Sequence, residues 1–268
     1  MTHALNLHIL EARLPAGAPT LLFAHGYGCD QTMWRDVTQA LPETRRIVFD
    51  WPGAGGADPS AYDGARHAKL EGYADDLLSL MAELDLRDTV VVGHSVAASI
   101  AAIAARRDPT RFGQLAMLSP SPCFMNDPPA YLGGFDRAQL EDLVLSLADG
   151  QTAWSRAVAP LVMGNADRPA LTERLADSFC AMDPAIALRW ARATFLADLR
   201  PLIPQVHVPS VVLQSTDDAL APVPVGQWLA AQLPRSRFEL LQASGHCPHV
   251  SAPAEVAQAL RRNLAWRG

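Results

Sequence analysis

Residues 89–105 read TVVVGHSVAASIAAIAA, and the reading of this stretch decides the fold. Val90, Val91 and Val92 form a β-branched run of strand length, with stiff side chains suited to a pleated surface. Gly93-His94-Ser95-Val96-Ala97 follows at once, and then a run of small residues that suits a closely packed helix. A strand that turns sharply into a helix on a G-x-S-x-small pentapeptide presents a serine nucleophile. The demand is steric. The serine must hold a strained backbone position with its Oγ exposed, so its neighbours cannot be bulky. Gly93 meets that demand and Ala97 nearly does, in a place where glycine is usual. The helix behind Ser95 adds free backbone N–H groups and a positive dipole end, both useful to a developing oxyanion.

Strands and helices alternate on either side of this junction. Residues 4–10 suit an antiparallel edge strand, and Thr20–Ala24 a buried one that runs into His25-Gly26-Tyr27-Gly28. Helical spacing predicts a helix over 30–40, and 46–49 is the next strand. A helix over 70–86 precedes the central strand, and 115–118 is a strand after it. This order predicts a mostly parallel, doubly wound sheet covered on both faces. From Pro120 the character changes: four helical patterns, at 136–148, 151–164, 169–181 and 184–197, succeed one another without a strand. Alternation resumes with a strand at 210–214, a helix at 223–233, a strand at 238–241 and a closing helix at 253–266. The expected organisation is a core of residues 1–120 and 200–268 with a helical insertion, 121–199, capping the C-terminal edge of the sheet.

A serine elbow in such a sheet belongs to the α/β-hydrolase fold, whose catalytic residues follow in the order Ser, acid, His. After 210–214 two aspartates compete, Asp217 and Asp218. The D-x-x-x-P frame that runs from Asp218 to Pro222 favours Asp218 as the acid, with Asp217 as a turn or capping residue. The last strand leads into SGHCPH, which makes His246 the general base and His249 a surface or packing residue. His94, beside the nucleophile, points into the elbow and reads as structural. The oxyanion hole takes the N–H of Val96, after the nucleophile, and that of Tyr27, from the loop after the early strand.

Composition bounds the function. Over 268 residues, 22 Lys and Arg oppose 28 Asp and Glu, for a net charge of -6. There is no clustered basic stripe, so nucleic acid is not expected as a partner. Four scattered cysteines (Cys29, Cys123, Cys180 and Cys247) have no C-x-x-C spacing, and read as free thiols in a reducing compartment rather than a metal site. No apolar run approaches the length of a membrane span, and the first residues lack a signal-peptide pattern. A cytoplasmic protein without metal or cofactor is expected.

FAHGYGCDQTMW, VGHSVAASI, SPCFMNDPPAYLGGF and SGHCPH together make a family-level pattern. They resemble the RsbQ-type α/β-hydrolases, bacterial energy-stress regulators, and the related plant karrikin and strigolactone receptors. The resemblance covers nearly the whole chain, insertion included. It implies nucleophile Ser95, acid Asp218, base His246, oxyanion donors Tyr27 and Val96, and a V-shaped four-helix lid. It maps the substrate pocket onto Phe124, Phe135, Trp154, Val158, Phe179 and Phe195, although Phe179 suits lid core equally well. The implied chemistry is slow hydrolysis of small apolar esters or butenolide-type lactones, with signalling through a protein partner in some members. Three places depart from the pattern. Tyr27 stands where phenylalanine is usual and would bring a hydroxyl near the oxyanion hole. Val158 stands where relatives often carry phenylalanine and would enlarge the pocket. WPGAGGAD replaces the usual G-x-S turn. Two other readings stay open: an ordinary metabolic carboxylesterase or lactonase without a partner, and a non-catalytic small-molecule receptor. The intact Ser95, Asp218 and His246 set argues against the receptor.

Overall fold

The computed structural model describes residues 2–13 and 18–264. Its centre is a seven-stranded sheet in the order β1-β3-β2-β4-β5-β6-β7. The strands are β1 (His8–Leu10), β2 (Thr20–Ala24), β3 (Arg45–Val48), β4 (Thr89–His94), β5 (Phe112–Leu118), β6 (Ser210–Asp217) and β7 (Ser236–Ser244). Only β1 is antiparallel, pairing the outer side of β3, and every other neighbouring pair is parallel.

Period-two alternation divides each inner strand between two cores. Val91 and Leu22 join the larger cluster, while Val90, Val92, Leu21 and Phe23 face the smaller one. On one side pack α1 (Arg35–Gln39) and α10 (Pro253–Leu264). On the other pack α2 (Leu70–Glu83), α3 (Val96–Arg107) and α8 (Val223–Gln232). Every residue of α3 from Val96 to Ala105 is buried, and the alanines let this central helix lie close to the sheet.

Between β5 and β6 the chain forms α4 (Arg137–Asp149), α5 (Gln151–Met163), α6 (Pro169–Ala181) and α7 (Pro184–Phe195). Pro169 and Pro184 occupy first-turn positions, where a missing N–H costs nothing, and Gly164 ends α5 in a left-handed conformation.

Several boundaries differ from the sequence reading. The expected edge strand at 4–10 is a 3-10 turn, Thr2–Leu5, followed by a three-residue strand. The expected helix at 30–40 opens as a 3-10 turn, Gln31–Trp34, capped by Asp30, before α1. Strands β6 and β7 run past their apolar stretches, because pairing continues where the side chains turn polar. A short helix α9 (Pro248–Ser251), which the pattern did not show, follows the SGHC loop. Residues 265 and 266 of the expected closing helix lie outside the described residues. No described helix is long and apolar enough to cross a membrane.

Candidate active site

Ser95, Asp218 and His246 each follow the C-terminal end of a parallel strand: β4, β6 and β7. Ser95 is the junction between β4 and α3, with φ 54° and ψ -123°. Its N–H donates to Leu118 O (2.9 Å) and its carbonyl accepts from Ala98 N–H (3.0 Å), which pins the turn from both sides. The tightness of the turn explains Gly93. A Cβ there would lie 2.7 Å from Ala98 N and 2.8 Å from the Ala97 carbonyl carbon.

His246 Nε2 is 2.8 Å from Ser95 Oγ. Its Nδ1 lies 2.9 Å from Oδ2 and 3.1 Å from Oδ1 of Asp218. With the proton on Nδ1 donated to the carboxylate, Nε2 is left to accept from the serine hydroxyl. Asp218 Oδ1 also accepts the N–H groups of Leu220 (2.9 Å) and Ala221 (3.0 Å), and Oδ2 accepts from Gln214 Nε2 (3.1 Å). Burial pushes the Asp218 pKa up. The adjacent imidazole and these hydrogen bonds outweigh it and hold the carboxyl below its usual range. Gln214 is fully buried in β6 and also donates to Ala221 O (2.6 Å), so it braces the loop that carries the acid. Sequence reasoning missed it, because one glutamine in a strand carries no motif.

Asp217 is exposed at the end of β6, where its carboxylate accepts from Ser244 Oγ (3.0 Å) and its carbonyl from Gly245 N–H (2.6 Å). It is Asp218, not Asp217, that meets the imidazole. His249 is fully buried, not at the surface, and its ring lies between those of Trp34 (4.5 Å) and His94 (4.3 Å). His94 Nε2 donates to the carbonyl of His246 (2.8 Å). Burial first, and then the charge that His246 would carry, lower the His94 pKa to about 3, so this ring stays neutral. It supports the His246 backbone as a neutral donor.

Val96 opens α3, so its N–H is among those with no partner inside the helix. Tyr27 follows β2 in a loop at the same edge of the sheet. Its hydroxyl donates to Ala187 O of α7 (3.1 Å), so it ties the loop to the helical insertion. The hydroxyl expected near an oxyanion hole is engaged by the insertion, and burial raises its pKa.

Ser95 and His246 open into a narrow, mostly apolar cavity that is partly open to the surface. Of the six expected pocket residues, Trp154, Val158, Phe179 and Phe195 line it, together with Tyr27. Phe124 and Phe135 do not. Phe124 is buried with its ring packed on that of Phe195 (5.4 Å), and Phe135 is held by backbone bonds to Phe124 O and from Asn126 N–H. Cys29, Leu143, Val162, Leu175, Thr194, Leu220 and Cys247 also contribute to the wall. Both thiols are free. Burial pushes Cys29 up to about 12 and Cys247 well above its ordinary value, so both act as small apolar surfaces. Among the described residues no group of three or more His, Cys, Asp or Glu could hold a metal ion.

The sequence profile described as the alpha/beta hydrolase family matches residues 21–259. The chain is 36% identical to the "Strigolactone esterase D14" of Arabidopsis thaliana, over 96% of this chain and 97% of that one. It is 35% identical to the "Karrikin insensitive 2 receptor CA" of Petunia hybrida, over 94% and 93% of the two chains. Among solved structures, a hydrolase from Oleispira antarctica superposes with a TM-score of 0.93 at 39% identity, covering 98% of this chain and 95% of that one. An elbow serine hydrogen-bonded to the histidine after the last strand, an acid after the strand before it, and this likeness over nearly the full length lead to one conclusion: the chain belongs to the alpha/beta hydrolase family.

Proposed function

We propose that this hydrolase cleaves small apolar esters or lactones through an acyl-enzyme on Ser95, and that it serves as an RsbQ-like sensor of such a ligand rather than in bulk metabolism. The observation that carries the reading is the 2.8 Å contact between Ser95 Oγ and His246 Nε2 at the wall of an apolar cavity. Ser95 Oγ attacks the carbonyl carbon and its proton passes to His246 Nε2. Asp218 stabilises the imidazolium and is not itself protonated. The oxyanion takes the N–H groups of Val96 and Tyr27. Collapse expels the alkoxide, which receives the proton from His246; in a lactone this alcohol stays attached to the acyl group. A water deprotonated by His246 then attacks the acyl-enzyme, and release of the acid restores Ser95.

In this reading residues 121–199 act as a lid over the core formed by 1–120 and 200–268. A narrow, aromatic-lined cavity supports compact substrates, since apolar pockets select by volume. The receptor named among the relatives supports a sensing role, which a signalling protein partner would relay, in the cytoplasm where the free cysteines stay reduced.

Intact-mass measurement after exposure to a panel of butenolide lactones and p-nitrophenyl esters tests the proposal. An acyl adduct in the wild-type chain, absent from Ser95→Ala along with ester turnover, is the expected result. Wild-type turnover in Ser95→Ala would move the nucleophile elsewhere. Sustained turnover of many cycles per second on one ester would favour the metabolic esterase.

A further inference from the structure

The loop that carries His246 is fastened to the helical insertion as well as to the sheet. Asn165, in the linker between α5 and α6, is buried at 6% exposure. Asparagine is seldom so enclosed unless its amide is bonded. Its Nδ2 donates to Met163 O (2.6 Å) and to Ser244 O (2.9 Å), and its Oδ1 accepts from an Arg168 Nη. The other Nη of Arg168 donates to Ser251 O (2.7 Å). Ser244 and Ser251 bracket His246 along the chain. Between them the N–H of His246 itself donates to Val162 O (2.8 Å), one of the last carbonyls of α5, which have no partner inside the helix. The two backbones meet without side chains between them: a Cβ on Gly245 would fall 1.9 Å from Met163 O.

We infer that Asn165 and Arg168 are positioning residues for hydrolysis, and that they set the His246 backbone from the insertion side. The sheet supplies the opposite anchor through Asp217, whose carbonyl accepts from Gly245 N–H. Loss of the clamp lets the loop relax toward the sheet and moves the imidazole away from Ser95 Oγ. A misplacement of about 1 Å at such a contact costs on the order of 10²-fold in rate. The inference rests on the proposed hydrolytic role of His246, and its test separates the two.

The clamp variants are Asn165→Ala, Asn165→Asp, Arg168→Ala and Arg168→Lys, assayed on p-nitrophenyl acetate with active sites titrated. Asn165→Ala is expected to lower kcat by about 10²-fold with KM changed by less than about threefold. Asn165→Asp is expected to do the same, because a carboxylate cannot donate to Ser244 O or Met163 O. Arg168→Ala should lose about tenfold, and Arg168→Lys should restore most of it by keeping a donor to Ser251 O. The downfield proton signal of the His246 Nδ1–H held by Asp218 should shift or vanish in Asn165→Ala. Should Asn165→Ala not fold, the Arg168 pair decides: equal rates for alanine and lysine overturn the inference. So does an unchanged kcat with an unmoved proton signal in Asn165→Ala. The proton signal reports the placement of His246 even if Ser95→Ala were to show that hydrolysis runs elsewhere.

Discussion

Ser95 holds a backbone conformation that any Cβ disfavours, at φ 54° and ψ -123°. Such conformations cost roughly 1–3 kcal/mol, and the bonds to Leu118 O and from Ala98 N–H enforce this one. Ser95→Ala removes the hydroxyl but keeps the strain. Ser95→Gly removes both, at an offsetting unfolded-state cost of about 0.5–1 kcal/mol. Glycine is therefore expected to melt above alanine at this site, by about 2–4 °C for a gain near 1 kcal/mol in a chain of this size. Equal melting temperatures would mean that the elbow stores no strain. The two aspartates separate as sharply. Asp218→Asn leaves the imidazole in the wrong tautomer and should lower kcat by ~10³-fold or more. Asp217→Asn, which keeps an acceptor for Ser244 Oγ at an exposed position, should stay within about tenfold of wild type. The reverse ranking on p-nitrophenyl butyrate would hand the acid's role to Asp217.

Helix α5 presents Trp154 and, one turn on, Val158 to the cavity, while its last carbonyls reach the His246 loop. Val158 is half-buried and faces the cavity. Phenylalanine there would fill part of that cavity. Val158→Phe is expected to weaken bulky lactones and esters by ~1–3 kcal/mol in kcat/KM, with acetate esters much less affected. An equal loss on all substrates, or a change in melting temperature alone, would make the residue helix packing. The same helices show why half the cavity wall was not legible. Leu143, Val162 and Leu175 lie on helices with an apolar face, and helical period does not separate residues that face a cavity from those that face a neighbouring helix. Phe124 and Phe135 lie off this wall for the converse reason: they sit in the irregular segment before α4, where no period says which way a ring points.

Three buried histidines make the molecule as a whole sensitive to acid. Burial is the leading cause that lowers the pKa of His25, His94 and His249, the second to about 3 from an ordinary 6.5. Each is neutral in the folded chain and becomes charged below about pH 6.5 once unfolded. The unfolded state thus binds more protons as the pH falls, and stability is full above 6.5 and declines toward 3. For His94 the slope in that window is about 1.4 kcal/mol per pH unit. Urea titrations at pH 7.5, 6 and 5 are expected to show a falling midpoint, and His249→Phe, which keeps the stack with Trp34 and His94, should flatten the fall. An identical midpoint at all three pH values would mean that these rings are not held neutral.

The sequence by itself determined what depends on local pattern. The valine run into GHSVA placed the elbow, the alternation of apolar stretches set the doubly wound sheet, and the strandless block after Pro120 marked four helices. The D-x-x-x-P frame separated Asp218 from Asp217, because turn chemistry is local, and the three chemical residues fall at strand ends. Only the tertiary structure decided which side chains meet across long stretches of chain. The tie from Tyr27 to Ala187 and the Asn165 clamp on the His246 loop are hydrogen bonds between elements far apart in the chain. No spacing encodes them. A lone polar residue reads alike whether solvent or a distant backbone satisfies it, and only the packing of the helices against the edge of the sheet settles which.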